Sequence, residues 1–144
     1  MPHDIAIQRL TALPPEMAEM AAEARAEGYG FLDRLMRDWS AGAMRFAETG
    51  EALWAARRDR VLAGIGGLTL DPVIPGALRM RRFYIRRSFR GIGVGRVLVR
   101  TLLDAAPPTA ATITVNAARG SERFWEACGF VPDLRDGHTH VRGR

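Results

Sequence analysis

The sequence has 144 residues and 15.9 kDa, with 47% apolar and 26% charged residues, which suits one globular domain and excludes a disordered chain. Its single cysteine, Cys128, excludes an internal disulfide framework, and the lack of any ~18-residue apolar run or signal-peptide layout predicts a soluble, cytoplasmic protein without membrane contact. The net charge is +5 and all 21 basic residues are arginine, so phosphate-loop, Schiff-base and pyridoxal-phosphate lysines are excluded, and no arginine can serve as a general base.

Ile5 to Leu13 alternates loosely and predicts a first strand, ended by Pro14-Pro15. The segment 15–28 predicts a helix that opens on Pro15 and stops at Gly28. A second amphipathic helix runs from Phe31 to Gly42, with Phe31, Leu32, Leu35, Met36 and Trp39 at helical spacing. Glu51–Arg57 and Arg60–Leu70 read as a hairpin joined at Arg58-Asp59, and Trp39 and Trp54 read as core. Ala77–Ile85 predicts the fourth strand, followed by a loop, RRSFRGIGVG, and a helix over Arg96–Ala106. A β-rich TITVNA, a helix in GSERFWEACG and a polar strand around His138–Val141 complete a mixed α/β order, β-α-α-β-β-β-α-β-α-β.

The charge is uneven. The 32 residues between Asp71 and Asp104 hold eight arginines and no acid, whereas the remainder holds 13 arginines against 16 acids. This basic stretch surrounds the glycines of Arg90-Gly91-Ile92-Gly93-Val94-Gly95-Arg96, placed between a strand and a helix. Glycines there let a ligand approach the backbone, and the free N–H groups of a helix start favour an anion. The loop fits three readings: a dinucleotide fingerprint, a glycine-rich turn without a ligand, or a coenzyme A pyrophosphate loop. The first lacks the G-x-G-x-x-G spacing and the acid ~20 residues later.

Arg90-x-x-Gly93-x-Gly95 resembles the (Gln/Arg)-x-x-Gly-x-(Gly/Ala) signature of the GNAT N-acetyltransferase superfamily. Phe83-Tyr84-Ile85 resembles the end of that family's fourth strand, and Glu122–Phe130 (ERFWEACGF) resembles its helix-to-strand signature. The element order corresponds as well, so the resemblance covers nearly the whole chain. It implies a mixed, mostly antiparallel sheet flanked by about four helices, with acetyl-CoA in the gap between strands four and five.

By the same resemblance, Arg90, Gly91, Ile92, Gly93, Val94, Gly95 and Arg96 would form the cofactor-binding loop, the backbone N–H groups from Gly91 to Arg96 holding the pyrophosphate. Phe83, Tyr84 and Ile85 would pair with the pantetheine arm, and one N–H there would polarise the thioester carbonyl. A primary amine, on a small molecule or a peptide, would attack directly, without a covalent enzyme intermediate or a metal. Nothing in the sequence resembles a nucleophile with its activating base.

Two positions depart from the family pattern. Trp125 stands where a tyrosine usually protonates the leaving thiolate, and an indole N–H cannot release its proton at useful pH. Ala118 stands where an asparagine is frequent, with Asn116 two residues earlier. Base candidates are Glu48, Glu51, Asp71 and the pair His138/His140; the acids also fit a solvated surface, and the histidines, two apart on a strand, also fit a metal pair, a substrate-facing pair or an ordinary polar edge strand. Tyr29 and Phe31 at the helix junction and an Arg79/Arg81 row on strand four are candidate acceptor contacts, favouring an acceptor with a carboxylate or phosphate. Two rival functions are a non-catalytic acyl-CoA sensor and a basic nucleic-acid binder, the second set aside because the charge is local. A homodimer through the last strands is a further arrangement the resemblance allows.

Overall fold

The computed structural model describes residues 4–135 and 137–143. Its strands are β1 (Ile5–Arg9), β2 (Ala52–Arg58), β3 (Val61–Leu70), β4 (Leu78–Ile85), β5 (Thr112–Val115), β6 (Val131–Arg135) and β7 (His138–Gly143). Its helices are α1 (Met17–Ala26), α2 (Phe31–Ala41), α3 (Val94–Ala105) and α4 (Glu122–Ala127). The strands form one sheet in the order β1-β2-β3-β4-β5-β7-β6, antiparallel except for the parallel pair β4/β5. This is the mixed α/β architecture expected from the sequence.

Two apolar clusters cover the two faces. On one, Met17, Met20, Ala21 and Ala24 of α1 and Leu32 and Leu35 of α2 bury against Leu53, Ala55, Ile65 and Tyr84. On the other, Val94, Leu98 and Leu102 of α3 and Trp125 of α4 pack on Leu78, Met80, Ile113 and Val115, with Phe130 beside them. Each α3 residue follows the three-to-four spacing that keeps one helix stripe on the sheet.

Three details differ from the sequence expectations. The hairpin turns at Asp59-Arg60, one residue later than predicted, with φ of 49° and 72°. Two successive left-handed residues make the primed turn whose twist suits a two-residue hairpin. Strand β6 was not anticipated: it is short, mostly exposed, contains Pro132, and pairs only with β7 at the sheet edge. Helix α3 begins at Val94, inside the segment expected to be loop, and a 3-10 turn occupies Arg87–Phe89.

Strand β4 carries a β-bulge. Ile65 pairs with Tyr84 and Gly67 with Arg81, so Arg82 and Phe83 together oppose Gly66. Arg82 has φ +54°, costly for a side chain of its size. The extra residue shifts the alternation of the strand. Leu78 and Met80 face α3, and beyond the bulge Phe83 and Ile85 face it too, whereas Tyr84 joins the α1/α2 side. Gly66 permits this, because a Cβ there would lie 2.6 Å from the Phe83 ring.

Candidate active site

The site follows from where β4 and β5 part. They pair at only three positions, Leu78 with Ile113, Arg79 with Thr114 and Met80 with Val115, and then separate. From Arg81 to Ile85 the backbone of β4 has β3 on one side and no strand on the other. The resulting cleft has a volume of about 650 Å³, within the range of small-molecule sites. Residues 81–85 form one wall; Asn116, Ala117, Ala118, Ser121, Phe124 and Trp125 form the opposite one.

At one end lies the glycine loop. Arg90, Gly91 and Gly95 line the cleft, whereas Ile92, Gly93, Val94 and Arg96 do not. Gly93 caps α3 at φ +95°, and the first turn of α3 has no side-chain cap and no acid. The first intrahelical bond is from Val97 N–H to Gly93 O, so the N–H groups of Val94, Gly95 and Arg96 keep no helical acceptor. Gly95 has a different, steric role: a Cβ on it would stand 2.9 Å from the Phe124 ring.

Arg90 is partly exposed, but its side chain is tied back onto the protein. Its guanidinium donates to Glu27 at 2.6 and 2.9 Å and to the Ile85 carbonyl at 2.9 Å, and stacks 5.4 Å over the Tyr84 ring. The Tyr84 hydroxyl donates to the same Glu27 carboxylate. The Arg90 bonds hold the Glu27 carboxyl below its ordinary range, and burial followed by that carboxylate pushes the Tyr84 phenol above its own. Tyr84 therefore lines the cleft but keeps its proton.

Glu27 is the last of a row. Glu19, Glu23 and Glu27 repeat every four residues along and just past α1, and all three meet the basic stretch. Glu19 and Glu23 each lie 3.0 Å from the Arg86 guanidinium, and Glu23 also accepts from the Arg87 backbone N–H. Much of the basic stretch is thus neutralised internally, with Arg82 on Asp38 and Arg79 on Asp71 completing the set.

Arg79 and Arg81 both line the cleft, in different states. Arg79 is buried, donating to Thr114 Oγ1 at 3.3 Å and to Asp71 at 3.4 Å, so its charge already has a partner. Arg81 forms no ion pair among the described residues, so the two differ in the charge they leave unpaired. Asp71, the partner of Arg79, lies outside the cleft lining. Its carboxylate accepts from the N–H groups of Val73 and Ile74 and from Thr114 Oγ1 at 2.6 Å. Burial alone would raise its pKa, but these donors and Arg79 hold it below the usual carboxylate range.

Glu48, Glu51 and His138 lie outside the cleft lining, as does His140. Glu51 accepts from the Leu70 N–H at 3.0 Å, and the two histidines are buried on β7 beside Asp133 and Glu126. Tyr29 and Phe31 do line the cleft. The Tyr29 hydroxyl donates to the Arg119 carbonyl at 3.1 Å, joining the α1–α2 connection to the loop before α4. Trp125 is 3% exposed and stacks edge-on with Phe83, Phe124 and Phe130 at centroid distances of 4.9 to 5.3 Å. Sequence reading missed Arg34, Arg82 and the Glu27 clamp; the four-residue acid spacing on α1 was the visible signal for the last.

Known proteins share this architecture. A protein from Exiguobacterium sp. 255-15, provisionally named an acetyltransferase, superposes with a TM-score of 0.87 at 21% identity, covering 97% of this chain and 93% of its own. A GNAT family acetyltransferase from Elizabethkingia anophelis, solved with acetyl-CoA bound, gives 0.64 at 14% identity over 98% and 99% of the two chains. The PaiA N-acetyltransferase of Thermoplasma acidophilum, in complex with coenzyme A, gives 0.62 at 14% identity over 96% and 99%. Among curated proteins no relative matches significantly. The Acetyltransferase (GNAT) domain family matches residues 20–141, from within α1 through the split of β4 and β5 to β7. With most of its length inside that match, the chain belongs to the GNAT acetyltransferases.

Proposed function

We propose that the protein transfers an acetyl group from acetyl-CoA to a primary amine. The observation that carries this reading is the unpaired edge of β4 from Arg81 to Ile85, ending at an uncapped helix start. An extended pantetheine arm can pair with such an edge as a strand would, and the free N–H groups of α3 suit a pyrophosphate. Acetyl-CoA supplies the activated thioester. The amine nitrogen attacks its carbonyl carbon, the carbon–sulfur bond breaks, and the nitrogen gives up a proton while the thiolate leaves.

The chain's own residues position and desolvate rather than exchange protons. A backbone N–H at the bulge supports the carbonyl oxygen as charge develops. Trp125 fills the thiol end with apolar surface and offers no proton; a thiol of pKa ~8.5 leaves acceptably without one. With Tyr84 locked on Glu27, proton removal from the amine falls to water.

A thermal-shift titration tests the cofactor, with 3′-dephospho-CoA for comparison. At ~100 times its Kd, acetyl-CoA should stabilise the fold by ~2.7 kcal/mol, or roughly 5–10 °C. Thiol release on adding an amine then separates catalysis from mere acyl-CoA sensing. No shift at millimolar acetyl-CoA would overturn the reading.

A further inference from the structure

The wall of the cleft carries more cations than counter-charges, at a point ~13 Å along β4 from the end that meets the glycine loop. Arg34, Arg81 and Arg82 line it, with Asp38 as the carboxylate ion-paired there, 3.4 Å from Arg82. Among the described residues Arg34 and Arg81 form no ion pair. The Nε of Arg82 is buried and lacks any hydrogen-bond partner, on a residue whose backbone is already strained by the bulge. A buried guanidinium donor left unmet is costly, and its natural complement is an oxyanion.

Resting on the acetyl-transfer reading, we propose that the acceptor amine carries a carboxylate, bound by Arg81 together with Arg82 and Arg34. The bulge falls between the two successive arginines and Phe83, both arginines line the cleft, and Arg82 meets Asp38 of α2. Arg79 and Arg90 take no part, since Asp71 and Glu27 hold them. The same surplus charge has a second effect. A cation near the acceptor's ammonium lowers its pKa, so more of the bound amine is the free base that attacks. Burial and the neighbouring cations also depress the affinity of Arg81 and Arg82 for their protons, which an incoming anion would reverse. A polyamine or a lysine-rich peptide would meet repulsion instead.

The test compares matched acceptors with acetyl-CoA saturating: an amino acid against its carboxamide, an aminoalkyl phosphate against the amino alcohol, and a diamine. Expected is a kcat/KM ~10–100-fold higher for the amino acid than for its carboxamide, as for a charge-assisted bond. Arg81→Met should reduce that preference to under ~3-fold while acetyl-CoA still raises Tm, and Arg81→Lys should restore part of it. The exposed Arg34→Ala variant, safe for folding, should lower the preference to a smaller extent. A preference for the phosphate over the amino acid overturns the carboxylate assignment. Equal use of charged and neutral amines, or a preference for the diamine, overturns the proposal and leaves acetyl transfer standing. Absence of an acetyl-CoA shift overturns acetyl transfer itself, and this inference with it.

Discussion

Glu27 Oε1 lies 2.6 Å from Arg90 Nη2, tying the end of α1 to the first residue of the glycine-loop signature. The signature arginine is therefore tied to the end of α1 and to the end of β4. Arg90 is 42% exposed, so solvent screens the pair, and the Tyr84 hydroxyl adds to what Glu27 holds.

Glu27→Gln should cost ~1 kcal/mol, read as a Tm lower by a few degrees, and should weaken acetyl-CoA binding through the loosened loop. Its pH signature follows from the lowered carboxyl pKa. The ion pair's contribution is complete above the unfolded value near 4.5 and is lost as pH falls through the lower folded value. A plot of Tm against pH should thus converge for the two proteins in the acid and diverge above pH ~5.

Asp71→Asn removes the charge facing a buried guanidinium. Arg79 is 6% exposed, so the loss should reach ~3–5 kcal/mol, measured by urea unfolding. The kcat of the folded fraction should stay within severalfold, because Asp71 lies outside the cleft lining. A kcat collapse in protein of unchanged stability would restore it as a base.

Gly95→Ala should destabilise by ~1–3 kcal/mol, since the added methyl meets the Phe124 ring at 2.9 Å. Phe124→Leu, costly by itself, should cost less in the Gly95→Ala background. A double-mutant cycle in chemical denaturation reads this coupling, and simple additivity would show that the contact relaxes freely.

Trp125→Phe should keep kcat within ~3-fold, because the indole gives no proton and the ring stays among Phe83, Phe124 and Phe130. A drop of ~100-fold, the scale of general acid catalysis, would assign the indole N–H to the reaction.

The elements with strong period or punctuation were legible in the sequence. Helix α2 shows its stripe from Phe31 to Trp39, and the glycine loop announces itself between strand and helix. What stayed hidden depends on distant partners. Thr114 and Asp71 meet across 43 positions, so neither spelling reveals that Arg79 is spent on them. The bulge leaves no mark either, because Arg81-Arg82 reads as alternation until Gly66 is known to lie opposite. Strand β6 was missed because an edge strand that is exposed on both faces has no apolar alternation to read.

One extra residue in β4 gives that strand two phases. Before Arg82 it keeps time with the sheet, and after it the count is displaced by one, so odd-numbered Phe83 and Ile85 take the side that Leu78 and Met80 held. A gain or loss of a single position there would act like a shift of reading frame written in space. It would exchange the faces taken by Phe83 and Tyr84 without altering either side chain. The chain's chemistry is thus encoded as much in where β4 slips as in what it contains.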